Sequence, residues 1–296
     1  MITPEYLSRF KEELMKTYEF MVKLCEENGL RYFAYGGTCI GAIRHNDIIP
    51  WDDDIDILMP RDDYYKFLDL KATIADSGFD IISYRDRGYY FPFTKVVNKH
   101  TTIWENEQNP YIIGAFVDVF PLYRVDDSIE EIRKTSREFT RRICNSIRAN
   151  QDYPISRIFN RIKNHDYHGA VSFLRSRLLF SDSTKYIEDF EEFEKTINRA
   201  TGSKMVSFTS SRYGLEKEIF DAEWFSDYLN VPFGGGNIRV PIGYDGMLSL
   251  VFGDYMKLPP LEKRIPDHKK YYVNLKEGLS LEECKKRIKN GEFSVY

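Results

Sequence analysis

The N-terminal part of the chain alternates apolar and polar positions in the way that is typical of an amphipathic helix. Pro4 and Glu5 suit the first turn of such a helix, and Asn28-Gly29 suits its end. Between them, apolar side chains recur at steps of three and four residues: Leu7, Phe10, Leu14, Tyr18, Met21 and Cys25. This spacing predicts a helix between Pro4 and Asn28 with one face turned toward a core.

Farther along, apolar and polar residues alternate one by one, as they do in a half-buried strand predicted over residues 54–59. Asp54 and Asp56 alternate with three apolar residues: Ile55, Ile57 and Met59. Side chains two apart in a strand point to the same face, so the two carboxylates share a face. Adjacent like charges repel each other, and a divalent cation between them removes the repulsion. We therefore interpret Asp54 and Asp56 as half of a metal site; the alternative is a solvated acidic turn.

Three further aspartates bear on this site. Asp52 and Asp53 directly precede the pair and are either neighbours of the metal site or simply exposed. Asp118 lies in a strongly apolar strand predicted over residues 111–120, where an unpaired carboxylate would be costly. Asp118 is therefore the best third ligand, although a buried acid paired with an arginine explains the same pattern.

A glycine pair lies shortly before the carboxylates. Gly36, Gly37 and Thr38 stand between a short strand predicted over residues 31–35 and a short helix that ends near His45. Glycine lets the backbone approach a phosphate closely, and a helix N-terminus offers free N–H groups and a positive dipole end. The pattern predicts a phosphate cradle, with an ordinary tight turn as the alternative.

The remaining pattern predicts a mixed α/β (α+β) sheet core with a helical insertion. Further strands are predicted over residues 79–84 and 89–98, and helices follow from 128 to about 180 and from 183 onward. Residues 231–241 resemble a hairpin with a glycine tip. We expect a core over 1–125, a basic helical insertion over 126–203 and a segment over 204–296 that returns to the core.

Composition narrows the classes of function. The net charge of −4 over 296 residues argues against a nucleic-acid-binding protein. The four cysteines are far apart and without zinc spacing, which is typical of reduced thiols in a cytoplasm. No apolar run approaches the roughly 18 residues of a membrane-spanning helix, and the first residues show no apolar signal segment. We expect a cytoplasmic protein without a transmembrane segment.

The predicted insertion differs in charge from the rest of the chain. Residues 130–180 hold 11 Lys and Arg against 5 Asp and Glu. Such a bias usually marks a solvated helical face. The other interpretation is peripheral contact with anionic lipid at the inner membrane face, or with a polyanionic acceptor.

Eight short motifs follow one another along the chain: GGT (36–38), GAIRH (41–45), IPWDDDIDI (49–57), MPRDDY (59–64), FPFTKVV around Lys95, VDVFPL (117–122), VPIGYDGML (240–248) and FGDYMKLPPLEKR (252–264). This set resembles the LicD family of phosphocholine transferases and relatives within the nucleotidyltransferase-fold superfamily. The resemblance implies a nucleotidyltransferase-like core over 1–125. It also implies transfer of phosphocholine from CDP-choline, or from a related CDP-alcohol, to a hydroxyl of a cell-surface glycan. The implied acceptors are teichoic acid or lipopolysaccharide, including lipid-linked forms, and CMP is released.

The resemblance also assigns roles to residues. Asp54, Asp56 and Asp118 would hold one or two divalent ions, Mg²⁺ by default and Mn²⁺ as the alternative, and Asp118 would accept the proton of the attacking hydroxyl. The glycine pair and Thr38 would hold the donor phosphates. Two cations, Arg44 and Lys95, would assist in binding these phosphates; the alternative is that both are merely surface charges. The aromatic residues that would surround a choline, or that belong to the core, are Trp51, Tyr89, Tyr90, Phe91 and Tyr255.

Three other functions are compatible with the same sequence features. The same fold could transfer ribitol phosphate, glycerol phosphate or a nucleotide. An Asp-x-Asp glycosyltransferase would use Mn²⁺ to hold a nucleotide-sugar, although such enzymes place a larger nucleotide-binding domain before the motif. A binding module that lost turnover is the third alternative, and the presence of all three carboxylates argues against it.

Overall fold

The apolar stripe near the N-terminus is buried in the folded chain. The computed structural model describes residues 4–197, 201–209, 212–266 and 268–295, and its first helix, α1, spans Pro4–Glu27. Phe10, Leu14 and Met21 of the stripe are completely buried. The Leu30 N–H donates to the Cys25 carbonyl at 2.8 Å and closes the helix beyond its last residue. The predicted N-terminal helix is confirmed.

A mixed sheet forms the centre of the molecule, and its first five strands come from the first 125 residues. They are β1 (Phe33–Ala34), β2 (Asp56–Pro60), β3 (Phe79–Ile82), β4 (Thr94–Asn106) and β5 (Asn109–Val125). Strand β2 lies between β1 and β5, antiparallel to β1 and parallel to β5. Strand β4 pairs antiparallel with both β5 and β3. The predicted mixed α/β class is confirmed.

The limits of all five strands differ from the predicted ones, and β1 and β3 are shorter than predicted. β4 begins at Thr94 instead of residue 89, and Pro92 gives the reason, since proline has no N–H to donate to a neighbouring strand. β2 begins at Asp56, so Asp54 lies just before the strand. β5 continues to Val125 because its last residues, from Tyr123 onward, pair with a strand that comes later in the chain.

Six helices come from the stretch between β1 and residue 197. They are α2 (Gly36–His45), α3 (Arg61–Asp69), α4 (Ile129–Ala149), α5 (Ile155–Lys163), α6 (Tyr167–Leu179) and α7 (Ser183–Ile197). Helices α4 and α7 pack against each other and bury a second apolar cluster around Tyr123, Phe139 and Phe190. Helices α5 and α6 pack mainly on each other.

The C-terminal segment returns to the sheet and completes it. Its elements are β6 (Lys204–Val206), β7 (Ile219–Asp221), β8 (Tyr228–Phe233), β9 (Gly236–Pro241), α8 (Tyr244–Phe252), β10 (Tyr272–Asn274), α9 (Leu281–Lys289) and β11 (Ser294–Val295). β6 pairs with β5, and β10 pairs with β4 and carries β11 on its other side. The predicted hairpin is confirmed as β8–β9, with Gly234 and Gly235 at positive φ in its turn. Among the described residues, every helix is too short or too polar to cross a bilayer.

Candidate active site

Strand register brings three charged side chains into one row across the sheet. Asp56 on β2 lies opposite Asp118 on the parallel strand β5, and Asp118 lies opposite Lys95 on β4. The Asp118 N–H donates to the Ile55 carbonyl at 2.8 Å and fixes this register. Registered neighbours point to the same face of a sheet, so the three groups are adjacent. Their apolar neighbours, such as Ile57, are fully buried.

A cavity of about 720 Å³ lies over this row, a size that suits a small-molecule substrate. Six of the residues predicted from the sequence line it together: Gly36, Gly37, Arg44, Asp54, Asp56 and Asp118. Asp52 and His268 line it as well. Carboxylates and glycine backbone therefore face the same space, although they come from separate parts of the chain.

The glycine pair begins helix α2 beside the carboxylates. Gly36 has a φ of +53°, a conformation that glycine adopts without strain, at the point where the chain turns into the helix. A Cβ atom on Gly37 would lie 2.6 Å from Oδ2 of Asp52, so a larger residue would displace that aspartate. The positive end of the helix dipole is thus close to the carboxylate group, where it favours negative charge.

Thr38 and Lys95, both predicted to bind the donor phosphates, contact the carboxylate residues from outside the cavity lining. Thr38 is buried, and its hydroxyl accepts a hydrogen bond of 2.8 Å from the Asp56 N–H. Lys95 is only 2% exposed, and its ammonium contacts Asp118 at 2.7 Å and Glu105 at 3.7 Å. Neither residue lines the cavity. Thr38 therefore joins α2 to β2. Lys95 is the counter-ion of Asp118, whereas the sequence suggested an arginine as the partner of a buried acid at this position.

Burial and mutual repulsion disturb the carboxylates of the cavity. Burial, followed by the charges of Asp54, Asp118 and Asp52, raises the pKa of Asp56 well above its usual range. Burial also raises the pKa of Asp118 to about 6, against the opposing effect of Lys95. Asp52 has a raised pKa as well, because of burial and its contact with Asp54. The site therefore carries more negative charge than its own cations balance.

Sequence reasoning missed the ion pairs of Asp53. This carboxylate is only 2% exposed, with Oδ1 at 3.0 Å from Nδ1 of His268 and Oδ2 in contact with the Lys270 ammonium. His268 and Lys270 outweigh the effect of burial and leave the pKa of Asp53 below its usual range. Asp53 is thus a neighbour of the site and not an exposed residue. His268 follows the FGDYMKLPPLEKR motif closely in sequence, which is the signal that could have suggested it.

Among the described residues, one group has ligand atoms close enough together to share a metal ion. Asp53, Asp54 and His268 present atoms that all lie within 4.8 Å of one another. Asp56 and Asp118 are outside that group. Asp54 belongs to both arrangements, since it also lines the cavity with Asp56 and Asp118.

The aromatic residues predicted to surround a choline divide into two sets. Trp51 and Tyr255 line the cavity, whereas Tyr89, Tyr90 and Phe91 do not. Tyr89 is completely buried, so its role is in the core. Five aromatic residues that the sequence did not single out line the cavity instead: Tyr35, Phe93, Phe120, Tyr213 and Phe252.

Arg44 is the predicted phosphate partner that does line the cavity. Its guanidinium donates to the carbonyls of Tyr255 and Lys257, which joins α2 to the segment after α8. Burial and the nearby charge of Arg264 lower the pKa of Arg44. Arg212 and Lys257 line the same cavity, so the cavity holds cationic as well as acidic side chains.

Comparison with known proteins agrees with the motifs. Residues 29–147 match the family model described as LicD/FKTN/FKRP, nucleotidyltransferase domain. The chain is 29% identical over 257 residues to the lipopolysaccharide cholinephosphotransferase LicD of Haemophilus influenzae, covering 84% of this chain and 91% of that protein. It is 39% identical over 110 residues to the human ribitol 5-phosphate transferase FKRP, covering 37% of this chain and 20% of that protein. The matched region contains every residue predicted to bind the metal or the donor phosphates, from Gly36 to Asp118, and the resemblance to the LicD family is confirmed.

Proposed function

We propose that the protein is a metal-dependent phosphotransferase that moves phosphocholine from CDP-choline to a hydroxyl of a cell-surface glycan and releases CMP. One observation carries this proposal: Asp54, Asp56 and Asp118 share an aromatic-lined cavity with the N-terminus of α2. The matched relatives are transferases of cholinephosphate and ribitol 5-phosphate, which supports the same class of reaction. Residues 1–125 form the catalytic core in this proposal, 126–203 the insertion, and 204–296 the segment that returns to the core.

The donor set of the cavity fits a hard divalent cation. Asp54, Asp56 and Asp118 offer carboxylate oxygens, which Mg²⁺ and Mn²⁺ prefer, and Lys95 balances only part of their mutual repulsion. Asp53 fits less well as a ligand because His268 and Lys270 already occupy both of its oxygens. We assign Asp53 to the positioning of His268 and Asp54. A bound Mg²⁺ would neutralise charge on the transferring phosphoryl group.

The chain's own groups hold the donor and the proton in this proposal. The N–H groups at the start of α2 and the Arg44 guanidinium bind the diphosphate of the donor. The faces of Tyr255 and its aromatic neighbours in the cavity receive the quaternary ammonium of choline. Lys95 holds Oδ1 of Asp118, so Oδ2 serves in one of two roles, either as a metal ligand or as the acceptor of the hydroxyl proton. The Asp118 pKa of about 6 is close to neutral, which suits a general base.

A thermal-shift panel tests the donor directly. CDP-choline, CDP-ribitol, CDP-glycerol and UDP-sugars are each added with and without Mg²⁺. At about 100 times its Kd, a ligand adds roughly 2.7 kcal/mol to the free energy of unfolding, hence a Tm increase of several degrees. We expect the largest increase for CDP-choline with Mg²⁺, together with CMP release when a glycan acceptor is supplied. Stabilisation by UDP-sugars alone would contradict the proposal.

Ribitol phosphate transfer is the second candidate, and the match to FKRP favours it. That match reaches 39% identity but covers only 20% of FKRP, so it supports the chemistry of the core more than the choice of donor. The same panel separates the two. A larger shift with CDP-ribitol than with CDP-choline, followed by CMP release from CDP-ribitol, would replace the first candidate by the second.

Substitution of Gly37 by alanine should weaken donor binding without unfolding the protein. The new Cβ would come 2.6 Å from Oδ2 of Asp52, which must then move toward the cavity. We expect the KM for the CDP-linked donor to rise about tenfold, or 1.4 kcal/mol, with a smaller change in kcat. Gly236→Ala is the matched control, since the nearest atom to a Cβ there is 3.8 Å away. Equal KM values for the two variants would exclude a donor role for this turn.

A further inference from the structure

Helices α5 and α6 form a hairpin that stands apart from the core. The structure describes both helices completely; α5 buries no side chain, and α6 buries only Ala170. The two helices pack mainly on each other, with Arg157 over the ring of Phe173. An amphipathic helix normally gains most of its stability from packing its apolar face, and these helices leave that face largely unpacked.

The hairpin exposes large apolar side chains at helical spacing. On α5, Ile155, Phe159 and Ile162 are 51%, 66% and 44% exposed. On α6, Tyr167, Val171, Leu174 and Leu178 are exposed at steps of three and four residues, so they form one continuous stripe. Single exposed apolar residues are ordinary, but a contiguous stripe on two adjacent helices marks an interaction surface.

The charge around these stripes is positive. The basic residues of the two helices are Arg157, Arg161, Lys163, Arg175 and Arg177. The one acidic residue between them, Asp166, pairs with Arg161 and caps α6 by accepting from the Gly169 N–H. A protein of net charge −4 therefore presents a basic, apolar surface at this hairpin.

We propose that the α5–α6 hairpin docks on an anionic lipid surface. On α5 the exposed apolar side chains lie opposite Arg157 and Arg161, and on α6 Arg175 and Arg177 flank the apolar stripe. Apolar faces bordered by basic residues are typical of helices that lie in the plane of a membrane interface. With nine and thirteen residues, the helices are too short to span a bilayer, so they lie along it. A symmetric contact between two copies would place the same arginines against one another, which disfavours self-association. The proposal is independent of the transfer reaction.

Vesicle co-sedimentation of the full chain tests the proposal. The wild-type protein should bind vesicles that contain phosphatidylglycerol and should bind pure phosphatidylcholine at least about tenfold more weakly. Phe159→Ser combined with Leu178→Ser should abolish most of this binding. Lys163→Gln with Arg175→Gln should weaken it about 30-fold and reduce its salt dependence, at about 1 kcal/mol for each basic residue. Phe293→Ser is the matched control, because Phe293 is 63% exposed, like Phe159, and lies outside the hairpin.

Several outcomes would overturn the proposal. One is that the protein binds both vesicle types equally well, or that it binds neither type. Another is binding that the Phe159→Ser, Leu178→Ser variant retains while its circular dichroism shows an intact fold. A third is a dimer in light scattering that the same variant converts to a monomer, since the surface would then join two copies of the chain. CMP release in solution should be the same in all hairpin variants, so a failure of the proposed function would be visible separately.

Discussion

Asp56→Asn is expected to lower metal-dependent CMP release at least about 10³-fold and, at the same time, to raise the Tm of the metal-free protein. Both effects have the same cause. Asp56 is half-buried beside Asp54, Asp118 and Asp52, whose charges all disfavour its own. The folded protein tolerates this repulsion because, in our proposal, a cation relieves it during function. Asparagine has nearly the same shape but no charge, so it removes both the repulsion from the neighbouring carboxylates and the attraction for a cation.

The pH dependence of this stabilisation follows from the sign of the pKa shift. The pKa of Asp56 is higher in the folded state than the usual value of about 4, so ionisation costs stability as the pH rises above that value. Near pH 3 the carboxyl is largely protonated in both states, and the variant should gain little. Near pH 7 the gain should be at its largest, about 2 °C or more in Tm.

Three measurements check the prediction together: CMP release, Tm without metal at two pH values, and Tm with added Mg²⁺. Wild-type protein should be stabilised by Mg²⁺, and Asp56→Asn should not. Asp76→Asn is the control, because Asp76 is exposed and does not line the cavity. Turnover by Asp56→Asn near the wild-type rate would show that another set of carboxylates holds the metal.

The local pattern of apolar and polar residues was enough to predict the helices and strands that support this site. The apolar stripe of α1 and the hairpin around Gly234 are both present as predicted. The alternation after Asp54 correctly indicated that Asp56 and the buried Ile57 point to opposite sides. Each of these features depends on residues that are close in the chain, where periodicity and turn chemistry decide the structure.

Contacts between distant segments were not predictable in the same way. Asp53 and His268 are 215 positions apart, and only the return of the C-terminal segment to the core brings them together. The pairing of Lys95 with Asp118 depends on the register between β4 and β5, and irregularities along this pair of strands shift that register. A shift of one residue would turn either side chain to the other face. The sequence thus predicted which charges are important, while their partners required the fold.

The aromatic residues illustrate the same limit. Closeness in sequence to the motifs suggested Tyr89 and Tyr255 equally, yet Tyr89 is in the core and Tyr255 is in the cavity wall. Tyr213 and Phe252 come from the C-terminal segment and were not suggested at all. An aromatic side chain suits a core and a ligand site equally well, so its type does not decide between them.

Lys95→Met is expected to destabilise the protein strongly, by about 3 kcal/mol or more, and to reduce turnover at least about 100-fold. The Lys95 side chain is 2% exposed and lies against Asp118, Glu105 and the ring of Phe116, whose centroid is 3.5 Å from Nζ. Burial lowers the pKa of Lys95, but the two carboxylates outweigh this effect and leave it raised, so the lysine is charged. Methionine fills a similar volume but leaves the buried Asp118 and the half-buried Glu105 without this cation, which is the costly arrangement.

A double-mutant cycle with Asp118→Asn separates the charge of Lys95 from its packing. If the lysine acts as the counter-ion of Asp118, the double variant Lys95→Met, Asp118→Asn should regain most of the stability lost in Lys95→Met and remain inactive. Lys285→Met is the control: its pair with Glu282 is 2.7 Å long but 49% of the lysine side chain is exposed, so the loss should stay below about 1 kcal/mol. Chemical denaturation and CMP release measure both quantities. A double variant as unstable as Lys95→Met would show that the contacts of Lys95 with the aromatic rings, and not its charge on Asp118, stabilise the row of residues beneath the cavity.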